Sequence, residues 1–238
     1  MNIKNIPVFI ICRDKVKDLK VLVDWFSRCG FNNTYLIDND SSYPELLDFY
    51  ESTSCHVIKL KENVGASSPW SKKIVQRIAK DSYYIVSDPD ITPIEDCPED
   101  AIEHFYYLLQ KYPQYGKAGF SLKIDDLPEC YKFRDEVVTW EQQFFEKEIE
   151  PFVYEAFIDT TLALYRPHAT RGVGRPCIRT AYPYQARHMP WYTNSEKLTE
   201  EEVFYKSNCG EGGQNHGTWG RDTLPLGLIQ KIEHMRCV

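Results

Sequence analysis

Asp88 and Asp90 bracket a single proline at the end of an apolar run, Tyr83-Tyr84-Ile85-Val86-Ser87. Side chains two apart on an extended segment point to the same side, and Pro89 keeps Asp88 extended, so both carboxylates can face one ligand. Two hard oxygen donors with open positions suit Mg2+ or Mn2+ bridging phosphates, because such ions are commonly held by one or two carboxylates plus the substrate. The same tripeptide is also ordinary turn chemistry. What separates the two readings is whether other polar residues gather around it.

The elements that would carry such a site alternate between strand and helix. Pro7 to Cys12 is a continuous apolar run of the kind found in buried parallel strands, and Leu19, Leu22, Val23 and Phe26 follow at helical spacing until Gly30. Tyr35-Leu36-Ile37 and Val57-Ile58-Lys59-Leu60 predict the second and third strands, with a helix opened by Pro44 between them. A helix capped by Ser68, with Trp70, Ile74, Val75 and Ile78 on one face, then leads into the strand that ends at Asp88. Four strands joined by single helices imply right-handed crossovers and a largely parallel sheet, whose ligands bind beyond the carboxyl ends of the strands. The polar residues collect at those ends: Arg13 and Asp14, Asp38 to Asp40, Asn63 and Gly65, then Asp88 and Asp90. This one-sided gathering favours a site over four unrelated turns.

Past Pro98, Ala101 to Lys111 predicts an amphipathic helix and Lys117 to Leu122 a further strand. An amphipathic segment with Val137, Trp140 and Phe144 precedes Phe157 to Tyr165, a strongly β-prone stretch. Arg166 to Pro183 reads as a long loop, and its arginines, Arg166, Arg171, Arg175 and Arg179, read either as a diphosphate-binding edge or as a solvated basic surface. Thr199 with Glu202 forms a capping-box pattern, and the glycine-rich Gly210 to Gly220 is expected to stay flexible until something orders it.

With 238 residues, 42% of them hydrophobic, the chain can bury a substantial core, and a single domain is expected. A formal charge of -7 argues against the broad basic footprint that nucleic-acid binding needs. The eight cysteines are scattered without a CxxC pair, which predicts a reducing compartment. The apolar start, Met1 to Ile11, is too short for a secretory core, and no later segment approaches a membrane span. A soluble, cytoplasmic protein is the expectation.

Six segments in order carry a resemblance to the GT-A fold glycosyltransferases, and within them to the family 2-like enzymes. They are the first strand ending in Cys12-Arg13, the strand end Leu36 to Ser41, Asn63-Val64-Gly65, the DxD element Asp88-Pro89-Asp90, Phe157 to Thr161, and Arg187-His188-Met189-Pro190-Trp191-Tyr192. The resemblance covers roughly residues 6–205. It implies an α/β, Rossmann-like, mixed and mostly parallel sheet flanked by helices, with an irregular C-terminal region. A nucleotide-binding half would span about residues 1–95, an acceptor and catalytic half about 96–205, and a flexible tail about 206–238.

The resemblance also implies roles. Asp38 would bind the uracil or ribose of a UDP-linked donor with Arg13 near the base, and Cys12, Asn63, Gly65, Ser87 and Asp88 would line the nucleotide. Asp88 and Asp90 would hold Mn2+ or Mg2+ on the diphosphate, with His188 completing the metal or diphosphate site. Asp159 stands where the family places its catalytic base, although Ile158 replaces the acid that usually precedes it. Asp125 and Asp126, following the Phe120-Ser121-Leu122 strand end, are second candidates for the base. Arg187 and Trp191 would contact substrate beside Asp159. The implied activity moves a hexose to a hydroxyl acceptor such as a glycan, with inversion. A metal would stabilise charge on the leaving diphosphate while a carboxylate deprotonates the attacking hydroxyl.

Each of these residues also has a structural role open to it: a turn acid at Asp38, a hydrogen-bonded histidine in an aromatic cluster at His188, a carboxylate satisfied by Thr160 and Thr161 at Asp159. Two other functions compete. A sugar-nucleotide pyrophosphorylase-like nucleotidyltransferase would need a glycine-rich phosphate loop after the first strand, and Cys12 to Val16 contains no glycine. A non-catalytic nucleotide-sugar-binding module is left open by Ile158.

Overall fold

The computed structural model describes residues 2–172, 175–208 and 222–236. Ten strands form one sheet: β1 (Val8–Cys12), β2 (Thr34–Asp38), β3 (His56–Lys59), β4 (Tyr84–Ser87), β5 (Ile91–Pro93), β6 (Lys117–Leu122), β7 (Glu148–Glu150), β8 (Val153–Glu155), β9 (Ala163–Tyr165) and β10 (Cys177–His188). Their order is β3-β2-β1-β4-β9-β6-β10-β8-β7, with β5 paired to β10. The first four strands pair in parallel, and β6 pairs in parallel with β10. Only β5, β8 and β9 run against the rest, so the sheet is mixed and mostly parallel.

The apolar continuity of β1 has a direct cause in its two covered faces. Val8, Ile10 and Cys12 pack into one core with Leu19, Leu22 and Phe26 of α1 (Lys17–Arg28), and with Leu46 of α2 (Pro44–Ser52) and Phe105 of α5 (Ala101–Lys111). Phe9 and Ile11 face a second core with Ile74 and Val75 of α4 (Ile74–Ile78), Ile158 and Tyr165. Alternation along a strand sends successive side chains to opposite faces, so a strand covered on both sides must be apolar throughout.

Four sequence expectations are corrected. The single helix expected after residue 68 is two short ones, α3 (Ser68–Ser71) and α4, separated by Lys73 at φ 55°. Ser68 does not cap it; its buried hydroxyl accepts from Asn39 instead. Of the β-prone stretch only Ala163–Tyr165 pairs. The segment before it is held irregular by hydrogen bonds from the Asp88 and Phe120 amides to the Thr160 and Leu162 carbonyls. The Arg166 to Pro183 segment is not all loop, since its last seven residues begin the twelve-residue β10, whose Arg179 is buried against Glu141 of α6 (Arg134–Gln142). In the tail, α7 (Glu200–Asn208) and α8 (Leu226–Arg236) are helical, with Leu224 and Ile232 buried. Gly210 to Gly220 lies outside the described residues.

The capping box is as expected: the Glu202 amide donates to Thr199 Oγ1 and the Thr199 amide to Glu202 Oε2. Among the described residues no helix is long and apolar enough to cross a membrane.

Candidate active site

A cleft of about 720 Å3 opens over the carboxyl ends of the strands. Its wall takes Cys12 and Arg13 from the end of β1, Asn39 beyond β2, Asn63 to Ser67 beyond β3, Asp88 to Asp90 beyond β4, Leu122 from β6 and His188 from β10. The loops are tied to one another by side chains. Asp14, fully buried at φ 45°, accepts from the Ser42 and Tyr43 amides and so fixes the loop after β1 to the start of α2. Asn39 accepts from the Val64 amide and donates to Ser68, joining the loops after β2 and β3. Buried polar side chains persist where each finds such partners.

At the centre, Asp90 is 7% exposed and receives the Lys15 ammonium at 2.7 Å, while His188 Nε2 stands 3.8 Å from its other oxygen. Burial alone would raise the Asp90 carboxyl, but Lys15 and His188 hold it below the ordinary carboxylate value. Lys15, whose ammonium also lies 4.9 Å from the centre of the Tyr205 ring, is raised despite burial because of Asp90. Asp88 accepts from the Thr160 hydroxyl at 2.6 Å. Burial first, and then the neighbouring Asp90, push its carboxyl up to about 7. Burial lowers the His188 imidazole to about 4 against the pull of Asp90, so this ring is neutral at pH 7. Its buried Nδ1 has no hydrogen-bond partner among the described residues.

These groups fit a divalent cation of the Mg2+ or Mn2+ type. The two carboxylates are hard oxygen donors of the kind such an ion takes, and the neutral His188 imidazole stands beside Asp90. No three of the described His, Cys, Asp and Glu residues converge as a complete ligand set, so an ion here would draw its remaining ligands from a diphosphate and water. Lys15 is the cation that now sits on Asp90.

Across the cleft, Asp159 is half exposed and bound by Arg171 through both Nε and a terminal nitrogen at 2.7 Å. Trp191 packs edge-on against His188 at 4.8 Å between ring centres. Glu141 and Arg179 form a buried ion pair on the same wall, and Arg179 also donates to the Phe157 carbonyl, bracing the segment that carries Asp159. Burial raises the Glu141 carboxyl, with Arg179 opposing.

Nine of the residues singled out from sequence thus share the cleft: Cys12, Arg13, Asn63, Gly65, Asp88, Asp90, Asp159, His188 and Trp191. Five do not line it. Asp38 is 3% exposed, accepts from Tyr50 and the Ser41 amide, and leaves the wall to Asn39. Ser87 is buried and donates to the Asp88 carbonyl. Arg187 alternates with His188 along β10 and spans Glu95 and Asp126, while Asp126 also accepts from Tyr192, and Asp125 is exposed beside Lys123. Sequence reasoning missed Lys15, Glu141 and the Arg171 contact, and it gave Asn39 no role beyond its place in the polar strand end Asp38 to Asp40. Lys15 had a signal: β1 and β4 are parallel neighbours, so a cation following one must stand beside acids following the other.

No protein-family model and no curated protein matches the sequence. Solved structures similar to this chain include the mannosyltransferase PcManGT from Pyrobaculum calidifontis in complex with GDP-Man and Mn2+ (10% identity, 98% of this chain and 68% of that one, TM-score 0.45). They also include glucosyl-3-phosphoglycerate synthase from Mycobacterium tuberculosis in complex with phosphoglyceric acid (9%, 68% and 56%, 0.42) and a mycobacterial protein (8%, 74% and 65%, 0.43).

Proposed function

We propose that the chain is a glycosyltransferase of the GT-A type, taking a sugar from a nucleoside diphosphate, uridine diphosphate first among the candidates, to a hydroxyl acceptor. The observation that carries this reading is the convergence of Asp88, Asp90, His188 and Asp159 on one cleft at the carboxyl ends of a mostly parallel sheet.

The nucleotide would lie over the loops after β1, β2 and β3, which Arg13, Asn39 and Asn63 hold together through hydrogen bonds to the Asn39, Asp40, Val64 and Gly65 backbone. Asp90 and Asp88, with His188 beside them, would offer the protein's share of the ligands to a divalent ion, which would supply charge stabilisation for the departing diphosphate without a proton donor. Lys15 neutralises Asp90 in its absence and adds a second positive charge beside the phosphates. Asp159 takes the proton of the acceptor hydroxyl as its oxygen forms a bond to the anomeric carbon. The bond from that carbon to the diphosphate oxygen breaks in the same displacement, and the diphosphate leaves with the electron pair. Arg171 fixes the direction of the Asp159 carboxylate through its guanidinium.

The test is a thermal-shift screen of nucleoside diphosphate sugars with and without Mn2+, since a ligand specific to the folded state raises apparent stability with its affinity. A metal-dependent rise with one nucleotide class is expected, and a flat response across all of them contradicts the reading.

A further inference from the structure

A second pocket, about 290 Å3, adjoins the cleft, and Phe157 and Arg171 line both. Its composition is one-sided: Lys117, Arg166, Arg171, Arg175 and His168 line it, and no aspartate or glutamate does. Lys117 opens β6 and is 3% exposed, yet among the described residues its ammonium has no carboxylate partner. Four neutral oxygens surround it, the Ile158 carbonyl at 2.6 Å, the Arg171 carbonyl at 3.0 Å, the Asp159 carbonyl at 3.2 Å and the Tyr165 hydroxyl at 3.3 Å. Carbonyls solvate a cation but leave its charge in place, and an unneutralised charge out of water is costly until an anion joins it.

The other cations divide into those already used and one that is free. Arg166 is spent on Tyr115, Tyr83 and Leu109, His168 stands on Asp81, and Arg171 on Asp159. The Arg175 guanidinium, exposed at the pocket, makes no hydrogen bond or ion pair among the described residues. Guanidinium presents a planar fork of donors matched to phosphate and carboxylate oxygens. The buried ammonium, its N–H bonds spent on those oxygens, contributes charge, and the unengaged guanidinium at the rim contributes the donors, which together suit one compact anion. Lys117 reaches the Asp159 backbone, so the anion would sit next to the carboxylate assigned as base.

We infer that this pocket receives an anionic group, a phosphate or a carboxylate, carried by the hydroxyl acceptor. The acceptor is then a small or terminal hydroxyl compound with a negative charge close to its nucleophilic oxygen. The inference rests on the transferase reading for the word acceptor, while the anion site itself stands on the pocket alone.

The test titrates the full chain with inorganic phosphate by calorimetry, using chloride to match ionic strength. One saturable site is expected, weakened about tenfold or more by Arg175→Ala, as loss of a charge-assisted contact requires, and by a smaller factor by Lys117→Met, which removes charge but no direct contact. It should move less than about twofold in Arg28→Ala, which removes the same charge from an exposed pair with Asp24. Methionine keeps the length and apolar stem of Lys117, and Arg175 is exposed, so at least one variant remains folded for the comparison. Absence of saturable binding, or equal binding in wild type and Arg175→Ala, overturns the anion site. In a second arm, transfer rates to hydroxyl acceptors with and without a phosphate or carboxylate are compared in wild type and Arg175→Ala. A preference for charged acceptors that drops in the variant is expected. An unchanged preference alongside weakened phosphate binding would mean the pocket takes a free anion and would overturn the acceptor assignment. Nucleotide binding in the cleft is measured separately, so failure of the donor reading is seen apart from failure of this one.

Discussion

Asp159 and Lys117 are chemically opposite, the Lys117 ammonium donating to the Asp159 carbonyl, and each makes its own prediction. Asp159→Asn removes the base while keeping the shape. Transfer should fall by about a hundredfold to ten-thousandfold, the usual worth of a positioned general base. Nucleotide affinity should stay within about twofold, because the role proposed for the residue is on the acceptor side and not the donor side. Initial rates and nucleotide titration measured together check this, and loss of both properties contradicts the assignment. For Lys117, burial lowers the ammonium from 10.5 to about 8, with Cys177 and Asp159 opposing and Arg171 and Arg179 adding to the fall. The unfolded chain binds this proton more tightly than the folded chain. The stability this group takes away is therefore greatest below about pH 8 and is recovered as pH rises through about 8 towards 10.5. In phosphate-free buffer, wild type should gain melting temperature relative to Lys117→Met across that window. A constant difference between the two contradicts the buried, uncompensated charge.

At the scale of elements, two contacts hold the site's frame. Gly119 of β6 lies where an added Cβ would come within 2.4 Å of the Leu162 carbonyl and 2.8 Å of Ala163 on β9. Gly119→Ala must part the two strands that flank the Asp159 segment, at a cost of about 2 kcal/mol or more. Chemical denaturation should show it as a lowered midpoint, and an unchanged midpoint contradicts the close approach. Glu201 of α7 accepts from the Val16 and Lys17 amides, capping α1 in place of a local side chain. Glu201→Ala should cost about 1 kcal/mol by the same measurement, as other lost N-caps do. The parallel half was legible in the sequence because apolar runs and helical spacing repeat there with little interference, and its strand ends announced the cleft. The rest was not, for physical reasons visible in particular residues. β10 was hidden by arginines that a local pattern reads as solvent-facing, although Arg179 is neutralised by Glu141 from an element thirty-eight positions earlier. The segment around Asp159 looked like a strand by composition, but partners distant in sequence spend its carbonyls at Thr160 and Leu162.

For the whole molecule, the site is as legible as its side chains are local to strand ends. Asp88, Asp90 and Asn63 follow strands by one to four residues, and the cleft gathers them. Asp38 occupies the last position of its strand and points into the core beneath Tyr50, where the following Asn39 reaches the wall. That one-residue difference is what alternation produces and what a motif position alone leaves undecided. The central claim is that the Asp90 carboxylate, beside His188 and Lys15, is where a divalent cation joins a nucleoside diphosphate to the protein. Its most direct test is calorimetric titration of uridine diphosphate into wild type and Asp90→Asn, each with and without Mn2+. The account predicts saturable binding strengthened about tenfold or more by Mn2+ in wild type, with the metal enhancement lost in the variant. Binding that is absent altogether, or whose metal dependence is the same in both proteins, would contradict it.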